Sequence, residues 1–420
     1  MKTLPLKFSA VSRALRHRNY RLFFAGQLVS LIGTWMQTVA QSWLIYRLTG
    51  SAELLGLMGF ASQGPILLLA SLGGVAADRF DRHRILLLTQ SSAMVLASIL
   101  AALTLGGWVQ VWEVFVLASL LGVTNAFDIP ARQSFVVEMV GREDLPNAIA
   151  LNSSLFNGAR LLGPAIAGAL VAAGGEGWCF TVNAVSFLAV IAGLLAMHWK
   201  AAPQRRQDAS VLTRLREGVR FVSGHAPIRA LMLLLGVTSL MGMPYMVLMP
   251  IFADRILGGG AAGLGTLMSA SGLGALIAAV LLATRPGIQG LGSWIAHGSI
   301  SFGLALALFA VSQWFWLSAA LLACAGFAFM VQMAASNTLV QVMVPDDYRG
   351  RTMALYSMMF MGMAPFGALL AGLLAGRIGA PLTVALGGVL CTLSGLSFRY
   401  HLPALREEAL RRIAEMAATR

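Results

Sequence analysis

Arg160 stands out chemically in this sequence because it interrupts a long apolar stretch near residues 147–173. A guanidinium near the centre of an apolar segment costs at least several kcal/mol unless it faces water, an acidic partner or a bound anion. Two interpretations follow: a structural salt bridge with Asp128, or a binding site for an anionic or oxygen-rich substrate. We expect the second, with Asn157 beside Arg160 in the same site.

A row of uncharged polar residues follows one face of a predicted helix near residues 21–46. The row has the spacing i, i+3, i+7, i+10, i+14 and consists of Gln27, Ser30, Thr34, Gln37 and Gln41. At 1.5 Å per residue it extends over about 20 Å. Such a row either lines a wet cavity or joins helices by hydrogen bonds. Because glutamines outnumber small residues in it, we expect a cavity lining that contacts substrate.

Long apolar segments are the elements that must position these side chains. Hydrophobic residues make up 58% of the 420 residues, charged residues make up 11%, and the mean hydropathy is +0.76. Segments of about 18 residues or more can cross a bilayer as helices. The sequence therefore predicts an all-α membrane protein with twelve transmembrane helices. The predicted spans are 21–46, 53–77, 85–106, 110–136, 147–173, 178–199, 229–252, 263–284, 291–311, 314–341, 352–376 and 381–400.

Basic residues are unevenly distributed between the predicted loops. They are frequent before the first span and in the segment 200–228, whereas Arg47, Arg255 and Arg377 are the only ones in the loops of the opposite side. The positive-inside rule then predicts that both termini and the segment 200–228 are cytoplasmic. The net charge of +13 follows from this topology and requires no nucleic-acid partner.

An internal repeat divides the chain into two halves. Residues 134–170 align with residues 338–374 at an offset of 204 without a gap, and 12 of the 37 positions are identical. Biased composition alone would give roughly three or four identities. The sequence therefore predicts two six-helix halves in parallel orientation, with a substrate site between them. The predicted division is 1–199, a linker loop 200–228, 229–402 and an amphipathic cytoplasmic tail 403–420.

A charged stretch, DRFDRHR, separates the second and third predicted spans. With the preceding glycine it resembles the signature G-x-x-x-D-R-x-G-R-[KR] of the major facilitator superfamily. Gly74, Asp78, Arg79 and Arg82 match this signature, and Asp81 replaces its second glycine. Longer stretches, at 26–52, 125–168 and 344–372, resemble the branch that contains the bacterial enterobactin exporter and related drug and siderophore exporters.

The resemblance implies a cytoplasmic gate at this charged stretch. Asp78 would pair with arginines and with the N-terminus of the eleventh span, near Arg349 and Arg351, because helix N-termini favour anions. Asp128 and Arg132, one helical turn apart, are further candidates for the gating network. The alternative is that these charges only hold the loop in the cytoplasm.

The sequence LLGPAIAG, residues 161–168, resembles the span-five motif of exporters in the superfamily. Gly163 and Gly168 permit close helix packing there, and Pro164 bends the helix. The family also implies proton antiport, for which Asp128 and Glu113 are the available carboxylates.

These expectations combine into a bacterial inner-membrane secondary transporter that exports amphipathic siderophore-like or drug-like molecules by alternating access and proton antiport. We expect a monomer in a lipid bilayer, with a small molecule and protons as partners. The sequence has no phosphate-binding Gly-x-x-x-x-Gly-Lys-[Ser/Thr] loop, so we expect no ATP, and we expect no metal or other cofactor. Nothing indicates a nucleophile–base pair of an enzyme. The alternatives are a lipid or lysolipid flippase and a non-transporting membrane sensor or assembly partner.

Overall fold

The structure is a computed structural model that describes residues 13–199, 211–284, 287 and 289–418, without the side chains of 211–215, 346 and 409–418. Helices dominate the described part of the chain. They are α1 (Arg18–Thr49), α2 (Ala52–Arg79), α3 (Arg82–Leu105), α4 (Val111–Gly174), α5 (Glu176–Leu195), α6 (Val211–Ser223), α7 (Ala226–Val237), α8 (Tyr245–Ile251), α9 (Gly260–Ala283), α10 (Leu291–Val311), α11 (Phe315–Met343), α12 (Asp346–Ser357), α13 (Ala364–Ile378) and α14 (Ala380–Ala418). A 3₁₀ turn, Arg13–Arg16, precedes α1.

Eleven helices in the described residues are long and apolar enough to cross a membrane. One of them, α4, is 64 residues long, although a straight helix of that length would be about 96 Å and exceed a bilayer threefold. Gly141 interrupts α4 with φ 73° and ψ 174°, a conformation that favours glycine. The parts 111–140 and 142–174 are each long enough for one crossing. The count of twelve crossings stays a prediction.

Three π turns interrupt the helices of the C-terminal part. Two of them precede prolines: the carbonyl four residues before Pro244 belongs to Leu240, and that before Pro365 belongs to Met361. A proline ring clashes with this carbonyl in a regular α-helix, and the wider π turn relieves the clash. The π turns are Thr238–Gly242 between α7 and α8, Phe252–Ile256 after α8, and Met358–Gly362 between α12 and α13.

Two compact units divide the chain. The first comprises Met1–Gln41 and Leu68–Gln207, and within it α3 packs against both α4 and α5. Its core includes a cluster in which the Phe135 ring lies 4.6 Å from Trp199 and 6.3 Å from Phe23.

The second unit comprises Ser42–Leu67 and Asp208–Arg420. Within it α10 packs against α11 and α14, and α9 packs against α11. Its aromatic core includes a chain of rings from Phe302 through Phe329 to Phe360, with centroid separations of 5.5 Å and 6.0 Å. The end of α1 and the start of α2 belong to this unit, so the units do not follow the order of the chain.

The predicted linker and tail are described only in part. Residues 200–210 of the linker and 419–420 of the tail lie outside the described residues, as do the tail side chains from 409 onward. Of the rest of the linker, Val211–Ser223 forms α6, which packs against α12, and residues 226–228 begin α7. The tail is the continuation of the last predicted span, because α14 runs through Pro403 to Ala418 as one helix.

Candidate functional site

A buried carboxylate, Asp128, is the centre of a polar cluster in the first unit. Asp128 is 1% exposed, and α4 carries it toward α3. Thr89 Oγ1 and Gln90 Nε2 each donate to Asp128 Oδ1 over 2.8 Å, and Arg132 Nε donates to Oδ2 over 2.9 Å. Arg132 Nη2 also forms an ion pair with Oδ2. The predicted ion pair between residues 128 and 132 is therefore present, and two neutral donors join it.

Arg132 also connects this cluster to the polar row of α1. Its Nη1 donates to Gln27 Oε1 over 3.1 Å, so helices α1, α3 and α4 meet through four side chains around one carboxylate. Gln27 itself is buried. A guanidinium that both neutralises a carboxylate and holds a glutamine can transmit a change of protonation to α1.

The other row residues of α1 are buried or half-buried. Gln37 accepts a hydrogen bond of 2.6 Å from Asn183 Nδ2 of α5, which joins two helices. Thr34 Oγ1 donates to the Ser30 carbonyl over 2.9 Å, and Ser30 and Gln41 are buried. Gln37 therefore joins α1 to α5 by a hydrogen bond, as the second of the two interpretations of the row expects. Contact of the row with substrate stays a prediction.

Arg160 and Asn157 lie in the second part of α4. Arg160 is 9% exposed, and Asn157 Nδ2 donates to the Ser153 carbonyl over 2.8 Å. Gly163 faces α1: a Cβ there would lie 2.5 Å from Trp35 Cβ and 3.1 Å from the Ile32 carbonyl oxygen. This glycine therefore permits the close packing of α1 on α4.

The remaining residues of the span-five motif, Pro164 and Gly168, are also buried in α4. A proline within a helix interior removes a backbone hydrogen bond and bends the helix. All three motif residues are therefore buried, and a packing role for Pro164 and Gly168 stays a prediction.

The charged stretch after α2 forms contacts within the first unit. Arg82 Nε donates to the Ala77 carbonyl over 2.9 Å, and Nη1 pairs with Glu138 of α4. Arg82 Nη2 lies 3.6 Å from Asp78, whose side chain is 51% exposed. Asp81 caps α3 by accepting from the His83 amide over 3.0 Å. Arg82 therefore satisfies a backbone carbonyl at the end of α2 and connects this end to α4 by an ion pair.

The predicted gating residues at the eleventh span lie in the second unit. Arg351 Nη1 is 3.1 Å from Glu217 Oε2 of α6, and its guanidinium lies 5.3 Å from the centre of the Tyr348 ring. Arg349 is exposed, as is Arg79 of the first unit. The pairing of Asp78 with this region stays a prediction.

Glu113 is part of a capping box at the start of α4. Its Oε2 accepts from the Gln110 amide over 2.8 Å, and the Gln110 side chain accepts from the Glu113 amide in return. This arrangement satisfies backbone donors that the first turn of a helix leaves unpaired. A helix-capping role accounts for the carboxylate without proton coupling.

A glycine that the sequence motif does not include, Gly73, forms a close packing contact of α2 with α4. A Cβ on Gly73 would lie 2.0 Å from the carbonyl oxygen of Ala126 and 3.2 Å from Phe127 Cα. Around the motif glycine, Gly74, no described atom lies within 4 Å of a built Cβ. Gly73 and Gly74 differ only in which of them faces α4 where α2 crosses it. The sequence alone does not show this, so it does not identify Gly73 as the contact residue.

Replacing Gly73 by alanine should destabilise the first unit by about 1–3 kcal/mol, because α2 must move away from the α4 backbone. Gly74→Ala is the matched control and should leave stability unchanged or raise it, since alanine favours helix more than glycine does. Thermal unfolding of both purified variants would test this. Equal stability of the two variants would contradict the assignment.

A second close contact, which we call the glycine seam, joins the start of α2 to α13 within the second unit. A Cβ on Gly372 would lie 2.6 Å from Gly56 Cα and 2.7 Å from the Ala52 carbonyl oxygen. A Cβ on Gly56 would lie 2.6 Å from the Ala368 carbonyl oxygen. The two backbones are therefore in direct contact, which small residues permit in membrane helices.

The end of α1 contacts the π turn that follows α8. Tyr46 Oη donates to Asp254 Oδ2 over 2.7 Å, and the Arg255 guanidinium lies 5.7 Å from the centre of the Tyr46 ring. Arg255 Nη2 donates to the Gly50 carbonyl over 3.4 Å. These contacts join residues about 200 positions apart, so local sequence spacing does not predict them.

An anchor for residues 13–17, just before α1, lies just after the break at Gly141. Asp144 is buried, and its Oδ2 lies 2.8 Å from both Arg16 Nη2 and His17 Nε2. The Ala14 amide donates to Asn147 Oδ1 over 2.9 Å.

Among the described residues no group of three or more His, Cys, Asp or Glu could hold a metal ion.

Two known bacterial proteins are similar to this chain over most of their length. The staphyloferrin A transporter of Staphylococcus aureus (strain NCTC 8325 / PS 47) is 25% identical over 370 residues, which cover 88% of this chain and 92% of that protein. The enterobactin exporter EntS of Shigella boydii serotype 4 is 27% identical over 373 residues, 85% of each chain.

A solved structure with the same fold is that of a POT family transporter in complex with a thioalcohol-conjugated peptide. It covers 92% of this chain and 96% of its own, with a TM-score of 0.73 and 11% sequence identity. At this identity the likeness concerns the fold alone.

The family model described as transmembrane secretion effector matches residues 9–419, nearly the whole chain. The match agrees with the resemblance found at residues 74–82 and in the longer stretches. This multi-pass membrane protein therefore belongs to the transmembrane secretion effector family of the major facilitator superfamily.

Proposed function

We propose that this protein is a proton-coupled secondary transporter that exports amphipathic, oxygen-rich anionic molecules such as siderophores. The observation that carries the proposal is the cluster around Asp128. A carboxylate that is 1% exposed inside a helical membrane unit is costly and marks a functional site by default. The relatives named as staphyloferrin A and enterobactin transporters support a siderophore as substrate.

Proton coupling in this proposal uses Asp128 alone. When ionised, the carboxylate accepts from Thr89, Gln90 and Arg132. Protonation removes its attraction for the guanidinium, which keeps its hydrogen bond to Gln27 of α1 and becomes available to a passing anion. Glu113 is left out of the proposal because it caps α4.

Alternating access would give this protonation a direction. The protein would interconvert between two conformations that differ in their affinity for a proton and for the substrate. Each ligand shifts the equilibrium toward the conformation that binds it more tightly. We also propose a twelve-span monomer in a bacterial inner membrane, and its loop charges favour cytoplasmic termini.

Substrate-stimulated proton flux tests this function. The purified protein is reconstituted in liposomes that contain a pH-sensitive dye, and a catecholate or hydroxycarboxylate siderophore is added. Proton movement that depends on both siderophore and protein supports antiport. Siderophore movement without protons would exclude the coupling, and movement of a fluorescent lysolipid alone would favour a flippase.

Arg160 should select the charge of the substrate. We expect Arg160→Ala to reduce export of an anionic siderophore about 10- to 100-fold, since a hydrogen bond to a charged group is worth about 1.5–3 kcal/mol. Arg160→Lys should retain part of the activity, because an ammonium cannot reproduce bidentate binding. Export of the cationic dye ethidium should change little.

The control for a structural role of Arg160 is the pair of variants Asp128→Asn and Arg160→Ala/Asp128→Asn. If the two residues served only to neutralise each other, each single variant would lower thermal stability and the double variant would recover it. Such recovery would contradict the substrate assignment. Equal losses for siderophore and ethidium in Arg160→Ala would contradict it as well.

A further inference from the structure

An apolar cavity of about 210 Å³ lies among the π turn Thr238–Gly242, α8, α13 and α14 in the second unit. Two polar side chains reach its wall, and both hydroxyls already have partners: Tyr245 Oη lies 2.9 Å from Ser271 Oγ, and Thr383 Oγ1 donates to the Gly379 carbonyl over 2.9 Å. The rest of the lining is hydrocarbon or glycine, including Leu370, Leu374 and Val384. The cavity, which we call the slot, therefore suits an apolar occupant.

The π turn Thr238–Gly242 accounts for the slot. It widens the backbone before Pro244, while two glycines permit the neighbouring helices to pack closely against it. A Cβ on Gly367 of α13 would lie 2.5 Å from the Leu240 carbonyl oxygen, and one on Gly387 of α14 would lie 2.3 Å from that of Met241. The helices thus touch at these points and leave a gap beside them.

The surroundings of the slot identify its occupant. Leu386, Val389 and Leu390 of α14 line it and are 49%, 46% and 41% exposed. They belong to a helix that can cross a membrane, so their exposed surface faces lipid hydrocarbon. An apolar gap without partner atoms forfeits dispersion contacts, and adjacent acyl chains can restore them.

The depth of the slot matches one lipid leaflet. At 1.5 Å per residue, Thr383 and Leu390 lie about 5 Å and 15 Å along α14 from its start at Ala380, and the hydrocarbon of one leaflet is about 15 Å thick. Arg377 is exposed at the end of α13 and follows Leu374 by three residues, which places both on one face. Its guanidinium is suited to a lipid phosphate.

We propose that the slot binds one acyl chain of a phospholipid whose phosphate is held by Arg377. This lipid belongs to the leaflet that contacts the turn between α13 and α14. The inference does not depend on the transport proposal, because its site lies apart from Asp128 and Arg160 in the chain and requires no proton.

Photo-labelling tests the acyl-chain part. The full-length protein is reconstituted with phosphatidylglycerol that carries a diazirine in the middle of one chain. We expect labelled peptides from 240–248, 367–374 and 383–390. Ala371→Leu fills the slot and should reduce this labelling about tenfold, because each excluded methylene loses apolar contact. Val384→Phe fills it from α14 and replaces Ala371→Leu if that variant does not fold.

The matched control is Leu393→Phe, an exposed position of α14 outside the slot, which should keep full labelling. For the phosphate, Arg377→Gln should reduce labelling by the phospholipid about tenfold, the loss of one charged hydrogen-bond partner. Labelling by a long-chain alcohol with the same diazirine should not change.

Three labelling results would each overturn the proposal. They are labelling spread evenly over all exposed helices, labelling unaffected by both slot-filling variants, and phospholipid labelling of Arg377→Gln at the level of the unchanged protein. Displacement of the lipid probe by ethidium would also overturn it, because the slot would then belong to a transported molecule. The proton-flux assay on Ala371→Leu is separate, so failure of either proposal is recognisable.

Discussion

Asp128→Asn should reduce siderophore-driven proton flux to the level of empty liposomes. Asparagine has almost the same shape as aspartate and can accept hydrogen bonds from Thr89 and Gln90, whose donor atoms lie 2.8 Å from Oδ1. Unlike aspartate, it cannot take up a proton at physiological pH. The fold should therefore survive while the coupling is lost. The measurement is dye-reported proton flux beside thermal unfolding of the same preparation.

Glu138→Gln is the matched control for this loss. Glu138 is also a carboxylate of α4 paired with an arginine, Arg82, in the first unit. Its neutralisation weakens a tie between α2 and α4 but should leave proton flux in place. Proton flux that persists in Asp128→Asn, or disappears equally in both variants, would contradict a coupling role for Asp128.

Gly372→Val should open the glycine seam and abolish most transport. Even the first side-chain carbon would lie 2.6 Å from Gly56 Cα and 2.7 Å from the Ala52 carbonyl oxygen, so the start of α2 must move away from α13. Overpacking of this kind costs about 1–3 kcal/mol, and valine adds two further carbons. A conformational cycle that includes this contact would lose the state in which the seam is closed.

Spin labels at Leu57 and Leu373, which are 40% and 47% exposed beside the seam, can measure the opening. We expect a longer mean distance in Gly372→Val and loss of siderophore export. Gly158→Ala is the control, because no described atom lies within 4 Å of a Cβ built there. An unchanged distance together with normal export would contradict a closed seam as part of the cycle.

Local spacing predicted some site contacts and could not predict others. Asp128 and Arg132 are one helical turn apart, so their ion pair follows from helix geometry. Thr89 and Gln90 contact the same carboxylate from a helix that lies 38–39 residues away in the chain. Their position depends on how α3 crosses α4, which hydrophobic periodicity does not specify.

The polar row of α1 illustrates a second limit. Its period correctly places Gln27 and Gln37 within a membrane helix, and both are buried. Whether such a side faces water or a neighbouring helix depends on the neighbour, and Asn183 supplies a partner for Gln37. A motif also leaves packing contacts unmarked, since Gly73, next to the motif glycine Gly74, forms a close contact with α4.

The π turn at Met358–Gly362 changes the phase of the internal repeat. Its counterpart in the first copy, 154–158, is regular helix within α4. A π turn rotates less per residue, so the helix after it lags by roughly 100°, one residue's share of an α-helical turn. The angular equivalent of Arg160 is then Pro365 rather than Ala364. The two copies align in sequence without a gap. From this π turn onward, however, residues at aligned positions point in different directions around their helix axes.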